Sequence, residues 1–159
     1  MTCTPSSIFF AADVITLSPS LAPCLAGRGH VVVTADNLHA LLDHLQIARQ
    51  APQLVVMSAT ALLGSRLKTV AALRAALREN GTTALLLSEL SEPLTAFAAL
   101  AVGAHASVSS TVNPEPFANL ADLLLSEREA RAVAATLRTA AAPQPSPRSD
   151  YPQVRASGF

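Results

Sequence analysis

The stretch Arg49-Gln50-Ala51-Pro52-Gln53-Leu54-Val55-Val56-Met57-Ser58 decides the fold. Pro52 cannot continue a helix and pushes the residue before it toward extended backbone, so it closes one element and opens another. Leu54 to Met57 then run without a polar residue, and Ser58 ends the run. Contiguous rather than alternating apolar character marks a strand covered on both faces, as parallel strands are. Working outward from Gln53–Ser58, the same signature recurs at Ile8–Ala12, His30–Thr34, Thr83–Ser88 and His105–Ser109. Five buried strands are expected.

Helical spacing fills the gaps between them. Asn37 to Arg49 places Leu38, Leu41, Leu42 and Leu45 on one face, with Asp36 or Asn37 as the cap. Ser65 to Asn80 carries Val70, Leu73 and Leu77 on one face and Arg66, Arg74 and Arg78 nearer the other. Gly81 follows, able to take the left-handed conformation that ends a helix. A helix starting at Ser91 or Glu92 runs through Leu94, Phe97, Ala98 and Ala101 to Gly103. Asn113-Pro114-Glu115 combines a capping residue, Pro at the first helical position and a first-turn carboxylate. The helix it opens extends to about residue 140, but Ser126-Glu127-Arg128-Glu129 breaks its stripe of Phe117, Leu120, Leu124 and Leu137. It is either one long helix with a solvated second half or two that meet there. The first connection is ambiguous: Ser18-Pro19 and the pair Leu21 and Leu25 suggest a helix that Pro23 would interrupt, so it is short, kinked or starts nearer Pro23.

Strands alternating with helices imply an α/β, doubly wound, flavodoxin-like fold: a five-stranded parallel sheet of order 2-1-3-4-5 with helices on both faces. The domain is expected over 8–125, its last helix reaching as far as 140. A disordered N-terminus over 1–7 and a disordered, Pro-rich tail over 141–159 flank it.

Composition narrows the function. The 159 residues hold 11 basic and 11 acidic side chains, for no net charge, which argues against a broad nucleic-acid or anionic-membrane surface. Two cysteines, Cys3 and Cys24, exclude a disulfide scaffold or a Cys-rich zinc module. No apolar run reaches the roughly 18 residues of a membrane helix. Ile8–Ala12 followed by Leu21-Ala22-Pro23-Cys24 has a faint lipoprotein-signal character, opposed by the absence of a preceding base, by Asp13 and by Pro23. A cytoplasmic protein with reduced thiols is expected. Among the histidines, His39 and His44 are five apart and share no helix face, while His30 and His105 flank or enter strands; hydrogen-bonded or solvated roles are favoured over metal ligation. Gly27-Arg28-Gly29 is a turn and not a phosphate loop, because no strand-Gly-helix unit encloses it.

In a doubly wound sheet, chemistry belongs at the carboxyl ends of the strands. There stand Ala12-Asp13, Ala35-Asp36, Ser58, Ser88-Glu89 and Ser109-Ser110-Thr111. With Arg49–Ser58, Leu100-Ala101-Val102-Gly103-Ala104-His105-Ala106 and Asn113-Pro114-Glu115-Pro116-Phe117, they give the region from Ile8 to Leu125 a pattern that resembles the CheY-like receiver domain of two-component response regulators, especially receivers that precede a LuxR-type helix-turn-helix. The resemblance implies an acidic pair after the first strand, a phospho-accepting Asp after the third, a hydroxyl after the fourth and a Lys after the fifth. Carboxylates would hold Mg²⁺, and metal and Lys would offset the phosphoryl charge.

On the matching positions, the acidic pair becomes Ala12 and Asp13, the acceptor falls on Ser58 (or Met57 in a register slipped by one), the hydroxyl stays as Ser88 and the Lys becomes Ser110. The one lysine, Lys68, lies in the expected third helix. One carboxylate is a poor Mg²⁺ site, and without an aspartyl acceptor no acyl phosphate forms. The resemblance is therefore to a degenerate pseudo-receiver that acts in signalling by phosphorylation-independent contact. No catalytic residue, metal ligand or cofactor is expected. Asp13 alone equally suits a helix cap, and the serines suit local backbone hydrogen bonds. A face made by Leu94, Phe97, Leu100, Phe117, Leu120 and Leu124 would meet a protein partner or a second copy, although some of these residues must be core. Ser126–Val133 is faintly similar to the start of a LuxR-type domain, but no recognition-helix pattern follows it, so direct DNA contact is not expected. The rival reading is a small-molecule sensor using a neutral, hydroxyl-lined crevice at the strand ends.

Overall fold

The computed structural model describes residues 6–47 and 51–141. In chain order the elements are β1 (Ser7–Ala11), α1 (Ala12–Leu17), α2 (Leu21–Gly27), β2 (Val31–Ala35), α3 (Leu38–Ile47), β3 (Leu54–Ser58), α4 (Ala59–Leu63), α5 (Leu67–Asn80), β4 (Thr83–Ser88), α6 (Glu92–Val102), β5 (Ala106–Ser109) and α7 (Pro114–Ala141). All five strands are parallel, in the order β2-β1-β3-β4-β5. This is the order expected from the alternation of elements. Two compact units divide the chain after Glu127: the first holds the sheet, α1 to α6 and the start of α7, and the second begins at Arg128. The described residues of the second are helical, with Val133 and Leu137 exposed.

Every residue of β3 and β4 is buried, in accord with their unbroken apolar runs. The edge strands differ. β5 alternates half-buried and exposed residues, and β2 leaves Val31 and Thr34 exposed, because each has a neighbour on one side only. One core fills the sheet-bearing unit. On α7, Phe117, Ala118, Ala121, Leu124 and Leu125 form its buried stripe. Phe117 meets Phe10 of β1 edge-to-face, with centroids 6.3 Å apart and planes at 84°.

Several boundaries depart from expectation for identifiable reasons. Ser6 and Ser7 are ordered: β1 opens at Ser7 opposite Val31, and the Ser6 carbonyl accepts the Val31 N–H. The ladder needs those backbone groups whatever the side chains are. The rest of the expected loose N-terminus, residue 49 at the end of the helix expected from Asn37, and residues 142–159 of the expected tail lie outside the described residues. Where one helix per connection was expected, the first and third connections each hold two. Pro23 is the third residue of α2, where its missing N–H would have had no intrahelical acceptor, so the helix is short and unbroken. Between β3 and α5, α4 starts directly on Ser58 and ends at Gly64. Ala12 belongs to α1 rather than β1, while His30 and His105 precede their strands. Gly81 and Gly103 end α5 and α6 with φ of 61° and 74°, the left-handed cap their positions suggested.

Candidate functional site

Because β1, β3 and β4 run parallel, their carboxyl ends gather the residues singled out in the sequence. Ser58 ends β3 opposite Leu87, and Ser88 ends β4 opposite Ser109. Each is buried, so each hydroxyl needs a partner. The Ser58 Oγ accepts the Ala61 N–H at 3.3 Å and caps α4. The Ser88 Oγ lies 2.6 Å from the Thr95 Oγ1 and accepts the Leu90 N–H at 3.0 Å. Since the Thr95 hydroxyl donates to the Ser91 carbonyl at 3.0 Å, Ser88 donates to Thr95. The Ser110 backbone bridges two elements: its N–H donates to the Ser88 carbonyl at 2.8 Å, and its carbonyl accepts the Ser18 hydroxyl at 2.8 Å. Asp13 sits in the first turn of α1, where its Oδ1 accepts the Val14 N–H at 3.1 Å and its charge suits the helix dipole. Lys68 is exposed on α5.

Near these strand ends lies a cleft of about 470 Å³, lined by Asp13, Asp36, Asn37, His39, Ser65 and Arg66 with a few apolar neighbours. It is charged and not neutral: two carboxylates face one guanidinium, and Ser58, Ser88 and Ser110 are not among its lining residues. Asn37 is committed to α3, accepting the Ala40 N–H at 2.8 Å, and the Ser65 hydroxyl donates to the Ala61 carbonyl at 2.7 Å. Among the described residues no three His, Cys, Asp or Glu side chains gather as metal ligands.

The expected contact face is divided. Leu94, Phe97 and Leu100 of α6 are 48%, 61% and 75% exposed. Phe117 and Leu124 lie in the core and are removed from that face; both belong to the stripe by which α7 holds the sheet. Leu120 is half-buried against the core.

One cluster was not legible in the sequence. Asp122 of α7 accepts from the Arg28 guanidinium at 2.6 Å and from His30 Nε2 at 2.7 Å. A carboxylate only accepts, so Nε2 carries the proton, and buried Nδ1 has no partner. Burial pushes the Asp122 carboxyl up, but the hydrogen bonds and charges of Arg28 and His30 outweigh it and hold the group below its ordinary value. The same bond raises Arg28. Beside it the Cys24 thiol donates to the Pro114 carbonyl at 3.6 Å. The signal was an acid between apolar neighbours, Ala121 and Leu123, on a helix that buries one of them.

No family model matches the sequence. No curated protein matches it at the sequence level. Solved structures do match its fold. The chain is similar to a CheY-like response regulator receiver domain from Methanospirillum hungatei, with a TM-score of 0.65 and 17% identity over 80% of this chain and 99% of that one. A chemotaxis response regulator of Vibrio cholerae gives 0.62 and 21% identity over 76% and 99%. NtrX from Brucella abortus gives 0.70 and 19% identity over 89% of this chain, which spans 31% of the NtrX chain. The fold is that of CheY-like receivers. Among the described residues, no helix is long and apolar enough to cross a membrane.

Proposed function

We propose that this chain is a degenerate receiver of cytoplasmic two-component signalling that acts by protein contact without phosphorylation of an aspartate. Ser58 carries the proposal. It ends β3, where a working receiver bears its phospho-accepting carboxylate, and its buried hydroxyl is spent capping α4. A hydroxyl there can form no acyl phosphate, and with Ala12 and Ser110 in place of an acid and a lysine, the charges that bind Mg²⁺ and offset the phosphoryl group are missing. What persists is a scaffold and the apolar face of α6, which meets a protein partner or a second copy through Leu94, Phe97 and Leu100. Balanced net charge supports neither nucleic acid nor an anionic membrane as the partner. Kinship with LuxR-type regulators belongs to the same proposal and rests on the sequence pattern.

Sedimentation with and without acetyl phosphate and Mg²⁺, with intact mass read in parallel, tests this. Identical association and unchanged mass are expected; phosphodonor-dependent association contradicts it.

A second reading is favoured by the cleft: a charged small molecule bound among Asp13, Asp36 and Arg66. A thermal-shift screen of amino acids and other zwitterions separates the two, because a ligand of the native state raises the transition and a purely protein-binding module gives none.

A further inference from the structure

We infer that the groove between α5 and α6 is a docking site for an acidic amphipathic helix of a protein partner. The groove, about 550 Å³, is separate from the strand-end cleft. Its floor and walls are apolar and small, with Leu67, Ala71 and Ala75 from α5 and Ala101 from α6. Leu67 is 83% exposed, far more than a leucine that serves the core. Alanines at 71, 75 and 101 leave room for a helix backbone to come close. From Leu67 to Arg78 the groove follows α5 for about 16 Å, about three turns of a docked helix.

Charge selects the occupant. Arg74 and Arg78 line the groove, with Glu79 as the single carboxylate. Arg66 and Lys68 add to the same helix and its start, so this segment is basic in a chain whose total charge is zero. Among the described residues, neither Arg74 nor Arg78 forms an ion pair. The Arg74 stem passes beside Gly103, its Cγ and Nε 3.7 and 3.8 Å from where a Cβ on that glycine would stand. Near the C-terminal end of α6 its charge also suits that helix dipole, which accounts for part of its presence. Arg78, in the last turn of α5, suits the dipole of its own helix in the same way, and both guanidiniums line the groove. A second copy docking groove to groove would set arginine against arginine. The Ser126–Glu129 segment of α7 alternates in sign, and the bases of the 142–159 stretch oppose its docking as well. A helix presenting Leu or Met at i, i+3, i+4 and i+7 with Asp or Glu beside them matches both features.

The test is a displayed library of helical peptides with that apolar spacing fixed and the polar positions open to Asp, Glu, Lys, Arg, Ser and Gln, panned against the full chain. Recovered binders are expected to be rich in Asp and Glu. Their affinity should fall about tenfold or more in Arg78→Glu, fall in Leu67→Ser, and weaken as salt rises. Arg78 is exposed, and an unchanged thermal melt certifies the variant's fold. Failure to recover a binder, recovery of basic or neutral sequences, or indifference to Arg78→Glu overturns the inference. Self-association of the chain that Arg78→Glu abolishes overturns it in favour of a second copy as occupant.

Discussion

Replacing Asp122 by alanine tests whether the Arg28–Asp122–His30 cluster holds α7 against the turn before β2. The two bonds are unequal. Arg28 and Asp122 are each about a third exposed, so their ion pair is screened and contributes little. The His30 side chain is 3% exposed, its Nδ1 already lacks a partner, and loss of Asp122 orphans Nε2 too. Leaving one such buried donor unsatisfied costs about 1–3 kcal/mol. Urea unfolding followed by circular dichroism should therefore show Asp122→Ala near 2 kcal/mol less stable, in the middle of that roughly 1–3 kcal/mol range. Arg28→Ala, which keeps the His30–Asp122 bond, should lose clearly less. The pH dependence has a definite sign. The folded carboxyl lies below its ordinary value of 3.8, so its contribution is complete above that pH and is lost as pH falls through the lower folded value. The gap between wild type and Asp122→Ala should narrow on acidification below about pH 4. An Arg28→Ala loss as large as that of Asp122→Ala, or a gap that widens in acid, refutes the assignment of the energy to His30.

Other expectations follow from single contacts. Phe117→Ala removes one ring of the fully buried pair with Phe10 and should cost about 3–5 kcal/mol, lowering the urea midpoint sharply; Phe117→Leu should cost less. Ser58→Ala removes the α4 cap and should cost about 1 kcal/mol in the same assay. Ser58→Asp, which supplies the missing acceptor alone, should still take up no phosphate from acetyl phosphate, read by intact mass, because Ala12 and Ser110 remain. Gly81→Ala meets open space but sits at φ 61°, so its loss of about 1–2 kcal/mol is conformational strain alone, and Gly81→Asn should recover part of it in thermal melts.

Legibility in the sequence followed the range of the interactions involved. β3 and β4 were plain because burial on both faces writes itself into consecutive residues, and Gly81 and Gly103 were plain because few other residues adopt their backbone. The doubly wound sheet followed from the alternation of elements, and its order is the default for a domain of this size. The split of the first connection did not, since Pro23 reads as a breaker until the helix start at Leu21 places it in the first turn. Nor did α4, five residues long and too short to show a period. His30 and Asp122 are 92 residues apart, and no local pattern joins them. The sequence places Ser58 and Ser88 at strand ends, but only the structure assigns their hydroxyls to the caps and turns beside them, and brings Asp36 and Arg66 to one cleft with Asp13.

The residues at the strand ends form a consistent physical set. A close carboxylate cluster repels itself unless a cation or a proton offsets it, so a fold that keeps one must also keep the ion. Ser58, buried and accepting the Ala61 N–H, imposes no such requirement, and Ser88 ties β4 to the first turn of α6 through Thr95 with no charge at all. Leu90 and Thr95 hold the Ser88 hydroxyl. The start of α6 is thereby fixed to the sheet while Leu94, Phe97 and Leu100 stay in solvent. A surface held in one position offers a partner a preorganised face and avoids the population penalty of a two-state switch.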